Sequence, residues 1–316
     1  FQEGVEYNDL RLAIIDEQHR FGVQQRLQLT QKGRAVDVLV MTATPIPRSL
    51  TLAQYGDMDV SILDEKPAGR KPVKTALVSM DRLDDVAARL KANIDEGTQA
   101  FWICPLVEES EVSDLSAATE RYKYLSGLIG AHNVGLVHGQ MPPEEKDAAM
   151  QEFVAGKTKV LVATTVVEVG VDVPNATIMV IERADHFGLS QLHQLRGRVG
   201  RGDQEATCLL LFSSGIGETG RKRLTIMRDS DDGFEIANED LRLRGAGDVI
   251  GTAQSGLPRF QIADLEHQAA LMAVAQTDAR NMLEQDPDLT TPRGDAVRVL
   301  LWLMKKDENL RLLSVG

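Results

Sequence analysis

The stretch Lys159–Gly202, KVLVATTVVEVGVDVPNATIMVIERADHFGLSQLHQLRGRVGRG, decides the fold. KVLVATT and ATIMVIERAD are continuous apolar runs that end in polar residues, the pattern of buried parallel strands. GLSQLHQLRGRVGR follows as a helix. Its glycines weaken a helix by about 1 kcal/mol each, so Arg196, Arg198 and Arg201 stand where guanidinium groups must come close to backbone or to an anion. Arg198 and Arg201 are three apart, which predicts one helical face. A bidentate guanidinium there suits a phosphate whose charge grows during reaction.

The same alternation extends in both directions. Downstream, ATCLLLFS reads as another strand. Upstream come the strands TALVS, AFWICPLVE and VGLVHG, the helix DRLDDVAARLKANIDEG, a helix over 116–129, and PPEEKDAAMQEFVAGK with proline and acids at its start. Leu83, Val86, Leu90 and Ile94 recur at helical spacing, and Gly97 is a C-cap candidate. Repeated βα units predict an α/β fold: a parallel sheet with helices on both faces. Further upstream, LRLAIID and VDVLVMTAT read as two more buried strands. DEKPAGRKPVK, with its prolines and basic residues, separates them as a linker. From about Ile216 the strands stop and helical patterns take over, broken by the Gly-rich RGAGDVIGTAQSGLP. The expected division is 1–63, linker 64–75, 76–215, a hairpin and loop over 216–260, and C-terminal helices over 261–316.

The chain has 316 residues, 43% hydrophobic and 26% charged, the balance of a globular protein of more than one domain. No apolar run is long enough to span a membrane, and no signal sequence opens the chain, so the expected location is the cytoplasm. A net charge of −12 excludes a uniformly basic nucleic-acid binder but leaves room for a small basic track. Cys104 and Cys208 lie in apolar runs without ligand-spaced partners and read as buried free thiols.

Four places carry candidate chemistry. Asp16 and Glu17 end an apolar strand, where an acid holds Mg²⁺ through water or simply stays solvated. Thr42 and Thr44, in TATPIPR, end the next strand and serve either as hydrogen-bond partners of that acidic site or as a cap. Thr164 and Thr165 end a third, with Gly170 and Asp172 in the loop beyond, placed to meet a nucleic-acid backbone or to form an ordinary βα loop. The arginine helix is the fourth.

DEQH, TAT, TTVVEVGVD and QLHQLRGRVGRG occur in the order and rough spacing of superfamily 2 helicases, in which two RecA-like lobes close over ATP. IIDEQHRFGVQQRL, MTATPIPRSL, FWICPLVEESE and DGFEIANEDLRLRGAGDVIGTAQSGLP resemble the RecG family within them. The transcription-repair coupling translocases share the last segment but more typically carry Glu where Gln18 stands. The resemblance implies a remnant of the first RecA-like lobe, a complete second lobe, and a helical C-terminal region carrying the translocation motif. It implies that Asp16 supports Mg²⁺ and Glu17 is the general base on the attacking water. Gln18, His19, Thr42 and Thr44 would couple nucleotide state to DNA. Thr164, Thr165, Glu168, Gly170 and Asp172 would face DNA and nucleotide. Gln194, Arg198 and Arg201 would face the phosphates, with both arginines as finger candidates. Arg223 and Gln254 would belong to the translocation hairpin and loop.

The activity implied is ATP-dependent translocation on double-stranded DNA. Stalled forks and Holliday junctions would be its substrates, ATP and Mg²⁺ its requirements, and single-strand binding protein a further candidate partner. No G-x-x-x-x-G-K-[ST] occurs in these residues, so the loop that binds the β- and γ-phosphates is expected upstream, with an OB-like wedge domain. The alternatives are a transcription-repair coupling motor or, for the isolated chain, a non-catalytic interaction module.

Overall fold

The computed structural model describes residues 5, 7–17, 32, 36–42, 59–63, 65, 69–105, 111–164, 173–251 and 265–304; at 111–116, 241, 244–251, 265–267 and 269–270 only the backbone is described. The chain divides into two compact units, residues 1–45 with 66–237, and residues 46–65 with 238–316.

In the first unit, β1 (Leu12–Ile15) and β2 (Asp37–Val40) form a parallel pair in the register Ile15↔Val40. Ala13 and Ile15 are buried against Leu10, Val36, Val38 and Val40. Leu12, Ile14, Leu39 and Met41 occupy the opposite face and are exposed. Both faces are thus apolar, as expected of a strand pair built to be covered on both sides.

The main sheet contains β3 (Lys74–Ser79), β4 (Gln99–Ile103), β5 (Val134–Val137), β6 (Val160–Ala163), β7 (Ala176–Ile181) and β8 (Thr207–Phe212). All its pairings are parallel and the order is β3-β8-β7-β4-β6-β5. Every residue of β4 is buried, as a central strand requires. β3 begins at Lys74, inside the segment read as linker.

The helices are α1 (Leu83–Asp95), α2 (Glu111–Ile129), α3 (Pro143–Val154), α4 (Leu189–Arg196) and α5 (Glu218–Asp229). Ala87, Leu90 and Ile94 form the buried stripe of α1, and the chain leaves it through Gly97 at φ +97, a left-handed conformation that favours glycine. Leu125 and Ile129 of α2 join Trp102 and Val162 in one core layer. On the other face Phe153 of α3 meets Phe101 edge to face at 4.9 Å. Truncating either ring leaves a cavity costing about 3–5 kcal/mol. The buried Gln99 amide donates to the carbonyls of Phe153 (2.6 Å) and Thr158 (3.0 Å), tying the end of α3 to the sheet. Helix α2 starts five residues before the expected 116.

Helix α6 (Gly233–Gly251) follows α5, and its backbone stays helical through the first half of the Gly-rich stretch that reads as loop. In the second unit α7 (Leu265–Gln285) and α8 (Pro292–Leu303) are joined by a tight turn. There the Asp286 carboxylate accepts from the backbone N–H of Thr290 (2.8 Å) and Thr291 (2.9 Å) and from the Thr291 hydroxyl (2.6 Å).

Candidate functional site

Ligands of parallel sheets bind beyond the carboxyl ends of strands, and Asp16, Glu17, Thr42 and Thr164 stand there. Asp16 and Glu17 directly follow β1. The Met41 N–H donates to the Ile15 carbonyl at 2.8 Å, carrying the ladder one step past β2, so Thr42 emerges beside the two acids. Glu17 has φ +52, rare for a residue with a side chain. Its N–H donates to Asp16 Oδ1 at 2.8 Å, which fixes the Asp16 carboxylate at the turn. Among the described residues no cluster of three or more His, Cys, Asp or Glu could hold a metal. A single strand-end carboxylate fits Mg²⁺ held mainly through water and phosphate oxygens.

Helix α4 is where the expectation needs correction. It ends at Arg196, not at Arg201, because Gly197 closes it and the next two N–H groups turn back tightly, Arg198 to the Leu195 carbonyl (3.0 Å) and Val199 to that of Arg196 (3.3 Å). Gly200 then adopts φ +68, and a Cβ there would lie 3.0 Å from Ala206 and 3.1 Å from Val73. Arg198 and Arg201 therefore leave from a turn and the strand of chain after it, not from one helical face. Arg198 is half-buried, Arg201 exposed, and Gln194 half-buried on the helix.

Arg196, grouped with them by sequence, faces protein backbone. It is 2% exposed and donates to the carbonyls of Met227 (2.6 Å) and Ser230 (2.8 Å), with Asp231 at 3.5 Å. Burial pulls its pKa down, and Asp231 opposes that shift. It caps the C-terminal end of α5, the cationic partner that a helix end favours. Arg223 on α5 makes the reciprocal tie, donating to the Phe187 carbonyl at 2.5 Å just ahead of α4. Each helix thus anchors one end of the other. Arg70, which sequence reading missed, donates to the Gly197 carbonyl at 3.2 Å.

One residue beyond β7, β4, β6 and β5 stand Glu182, Cys104, Thr164 and His138. Continued registers align them as one row on a single face of the sheet. Glu182 is buried yet satisfied: it accepts from Trp102 Nε1 at 2.5 Å and from Arg121, whose guanidinium also lies over the Trp102 ring. Burial, with the Glu182 charge beside it, pushes the Cys104 thiol well up, so it stays protonated. Burial likewise raises Cys208, to about 12. Thr164 is 1% exposed, and among the described residues its hydroxyl has no hydrogen-bond partner; the same holds for the buried Nδ1 of His138. An acid after an apolar strand was the available signal for Glu182. Nothing comparable marked His138.

Gln18, His19, Thr44, Thr165, Glu168, Gly170, Asp172 and Gln254 lie outside the described residues.

Residues 81–203 match the helicase conserved C-terminal domain, and 230–312 match "ATP-dependent DNA helicase RecG, domain 3, C-terminal". The chain is 52% identical over 94% of its length to the ATP-dependent DNA helicase RecG of Bacillus subtilis, covering 44% of that relative. For the RecG of Escherichia coli K12 the figures are 49%, 91% and 42%. The chain thus spans less than half the length of these relatives. A solved structure of RecG bound to a three-way DNA junction superposes with a TM-score of 0.66 at 48% identity, over 85% of this chain and 34% of that one. The Mycobacterium smegmatis helicase Lhr, at 17% identity and a TM-score of 0.53 over 70% of this chain and 31% of its own, shares the fold.

Proposed function

The chain belongs to the RecG family of ATP-dependent DNA helicases, and on that premise we propose that the whole protein is an ATP-driven double-stranded DNA translocase that regresses stalled forks and migrates Holliday junctions. The observation that carries this reading is the reciprocal pair of arginine ties. Arg196 grips the end of α5 from the nucleotide-facing helix, and Arg223 grips the start of that helix from α5. A displacement of α4 on nucleotide binding is thereby passed to the hairpin without slack. A nucleotide-binding scaffold has no need of that linkage; a motor does.

In this reading Asp16 holds Mg²⁺ through its water shell, and the ion offsets phosphate charge when bound. Glu17 orients and deprotonates the attacking water. Arg198 and Arg201 stabilise charge that develops on the γ-phosphate, with Gln194 beside them. Thr42 and Thr164, with Gln18, His19, Thr44, Thr165, Glu168, Gly170 and Asp172, relay nucleotide state to DNA, and the loop carrying Gln254 pushes on the duplex. The sequence contains no G-x-x-x-x-G-K-[ST], so the phosphate cradle comes from outside these residues. Branched DNA is the substrate we assign, and single-strand binding protein a partner proposed on the resemblance alone. Work on chromosomal DNA places the protein in the cytoplasm; among the described residues no helix is long and apolar enough to cross a membrane.

The test is DNA-stimulated ATP hydrolysis and fork unwinding by the full-length protein and its Arg201→Ala variant. A transition-state finger requires turnover to fall by roughly a thousandfold or more with ATP affinity nearly kept. Lost affinity with turnover preserved would remove Arg201 from that role, and a wild type without fork activity would overturn the proposal.

A further inference from the structure

The segment that leads into β3 touches the arginine turn at two points, and each point is a glycine directly ahead of a finger candidate. Arg70 Nη2 donates to the Gly197 carbonyl at 3.2 Å. A side chain at Gly200 would begin 3.1 Å from Val73 and 3.0 Å from Ala206. Gly197 is followed by Arg198, and Gly200 by Arg201. From this juxtaposition we propose that Arg70 is a positioning residue for Arg198, so that the segment read as interlobe linker, and not α4 alone, sets where the finger stands. The inference rests on the finger role assigned to Arg198 above.

The geometry is that of one peptide plane. The Gly197 carbonyl and the Arg198 N–H belong to the same peptide unit, which is planar and rigid. Its N–H donates to the Leu195 carbonyl at 3.0 Å, and its oxygen accepts from Arg70. Both polar ends of the unit are held, and with them the Cα from which the Arg198 side chain leaves. Carbonyls at a helix C-terminus have no partner within the helix, and a cation is a favoured donor there. Helix α4 thus supplies one of the two bonds, and Arg70 the other.

The stretch that carries Arg70 is stiff. Pro72 has a fixed φ and confines Lys71 to extended backbone. The Lys74 N–H then donates to the Ala206 carbonyl at 2.9 Å, where β3 begins its pairing with β8. Arg70 and Val73 are therefore tied to the β3 edge of the sheet and bear on Gly197 and Gly200 together. Arg196, the residue before Gly197, is held by the end of α5. The turn is fixed from the sheet edge through Arg70 and from α5 through Arg196.

The experiment measures DNA-stimulated ATP hydrolysis by the full-length protein in a double-mutant cycle of Arg70→Ala, Arg198→Ala and the pair. A reacting group misplaced by about 1 Å costs on the order of a hundredfold in rate. Arg70→Ala should therefore lower kcat by roughly ten- to a hundredfold, with KM for ATP nearly kept. Arg70→Lys, whose ammonium still reaches one carbonyl, should recover most of the loss. In the Arg198→Ala background, Arg70→Ala should cost almost nothing further, because the group it positions is gone; a general structural defect would multiply with it. Thermal unfolding confirms that each variant is folded, and Arg70→Met, which keeps the stem and removes the donors, repeats the cycle if the alanine variant is not. Unchanged kcat for Arg70→Ala, or losses that multiply in the double variant, overturns the inference. A raised KM with kcat kept would make Arg70 a nucleotide contact and overturn it as well. Full turnover by Arg198→Ala, or a wild type without DNA-stimulated hydrolysis, would instead fail the finger reading, and this inference with it.

Discussion

Replacing Arg196 with alanine removes a side chain that reads as anion-facing in sequence and acts as a cap in the structure. The guanidinium makes hydrogen bonds of 2.6 and 2.8 Å to two carbonyls at the end of α5. Charged hydrogen bonds contribute about 1.5–3 kcal/mol each, but removing a buried charge also relieves its desolvation. The two effects together put the loss near 3 kcal/mol. Asp231, left behind, is about one-third exposed and is resolvated at little cost. The assay uses the chain's two tryptophans, Trp102 and Trp302. With Trp302→Phe as background, the fully buried Trp102 alone reports on the main sheet during urea unfolding. A slope of about 2 kcal/mol/M turns 3 kcal/mol into a midpoint shift of roughly 1.5 M. Arg196→Lys should recover only part, since an ammonium cannot serve two carbonyls in the same fork. A midpoint within about 0.3 M of the parent would refute the capping role and return Arg196 to the anion-facing group.

The isolated 316-residue chain, lacking a phosphate loop, should show no DNA-stimulated ATP hydrolysis; turnover above that of a Glu17→Gln control would contradict this. In the full-length protein Gln254→Ala should leave ATP hydrolysis largely intact while fork unwinding falls sharply. A proportional fall of both, measured on one preparation, would assign the loop to the ATP cycle and not to coupling. Hydrogen bonds from Thr291 and Thr290 hold the Asp286 pKa down at about 2, against an ordinary 3.8. The stabilisation from that depressed carboxyl is therefore complete above about pH 4 and lost as pH falls through 2. Trp302 fluorescence during acid titration should show the α7–α8 turn loosening in that window, and Asp286→Asn should abolish the dependence.

The alternation of apolar runs made the six-stranded sheet legible, because parallel strands buried on both faces carry an unmistakable composition. Gly97 was legible as a terminator for the same local reason. Arg196 was not separable from Arg198 and Arg201 by sequence, since one residue of spacing decides whether a guanidinium points at a neighbouring helix end or away from it. Acids after apolar strands were equally ambiguous. Asp16 accepts from the backbone of the turn it begins, whereas Glu182, with the same signature, is buried against an arginine from α2, 61 residues away in sequence. The pairing that distinguishes them is tertiary. His138 escaped notice because its environment is made by β6 and α3, neither of which marks it locally.

The position of β3 has a consequence for how the protein is made. This strand is the first of the main sheet to be synthesised, yet its hydrogen-bonding neighbour is β8, the last. Lys74 and Glu205, which meet at the start of that pairing, are 131 residues apart. At ribosomal rates of about 5–20 residues per second, β3 waits roughly 7–26 s with no neighbour to accept it. The four strands β4–β7 can assemble during that interval, leaving β7 as an open edge until β8 arrives. Closure of the sheet is thus the final, long-range step of folding, and a nascent chain stalled before Thr207 exposes unpaired strand edges to which chaperones or other copies of the chain can bind.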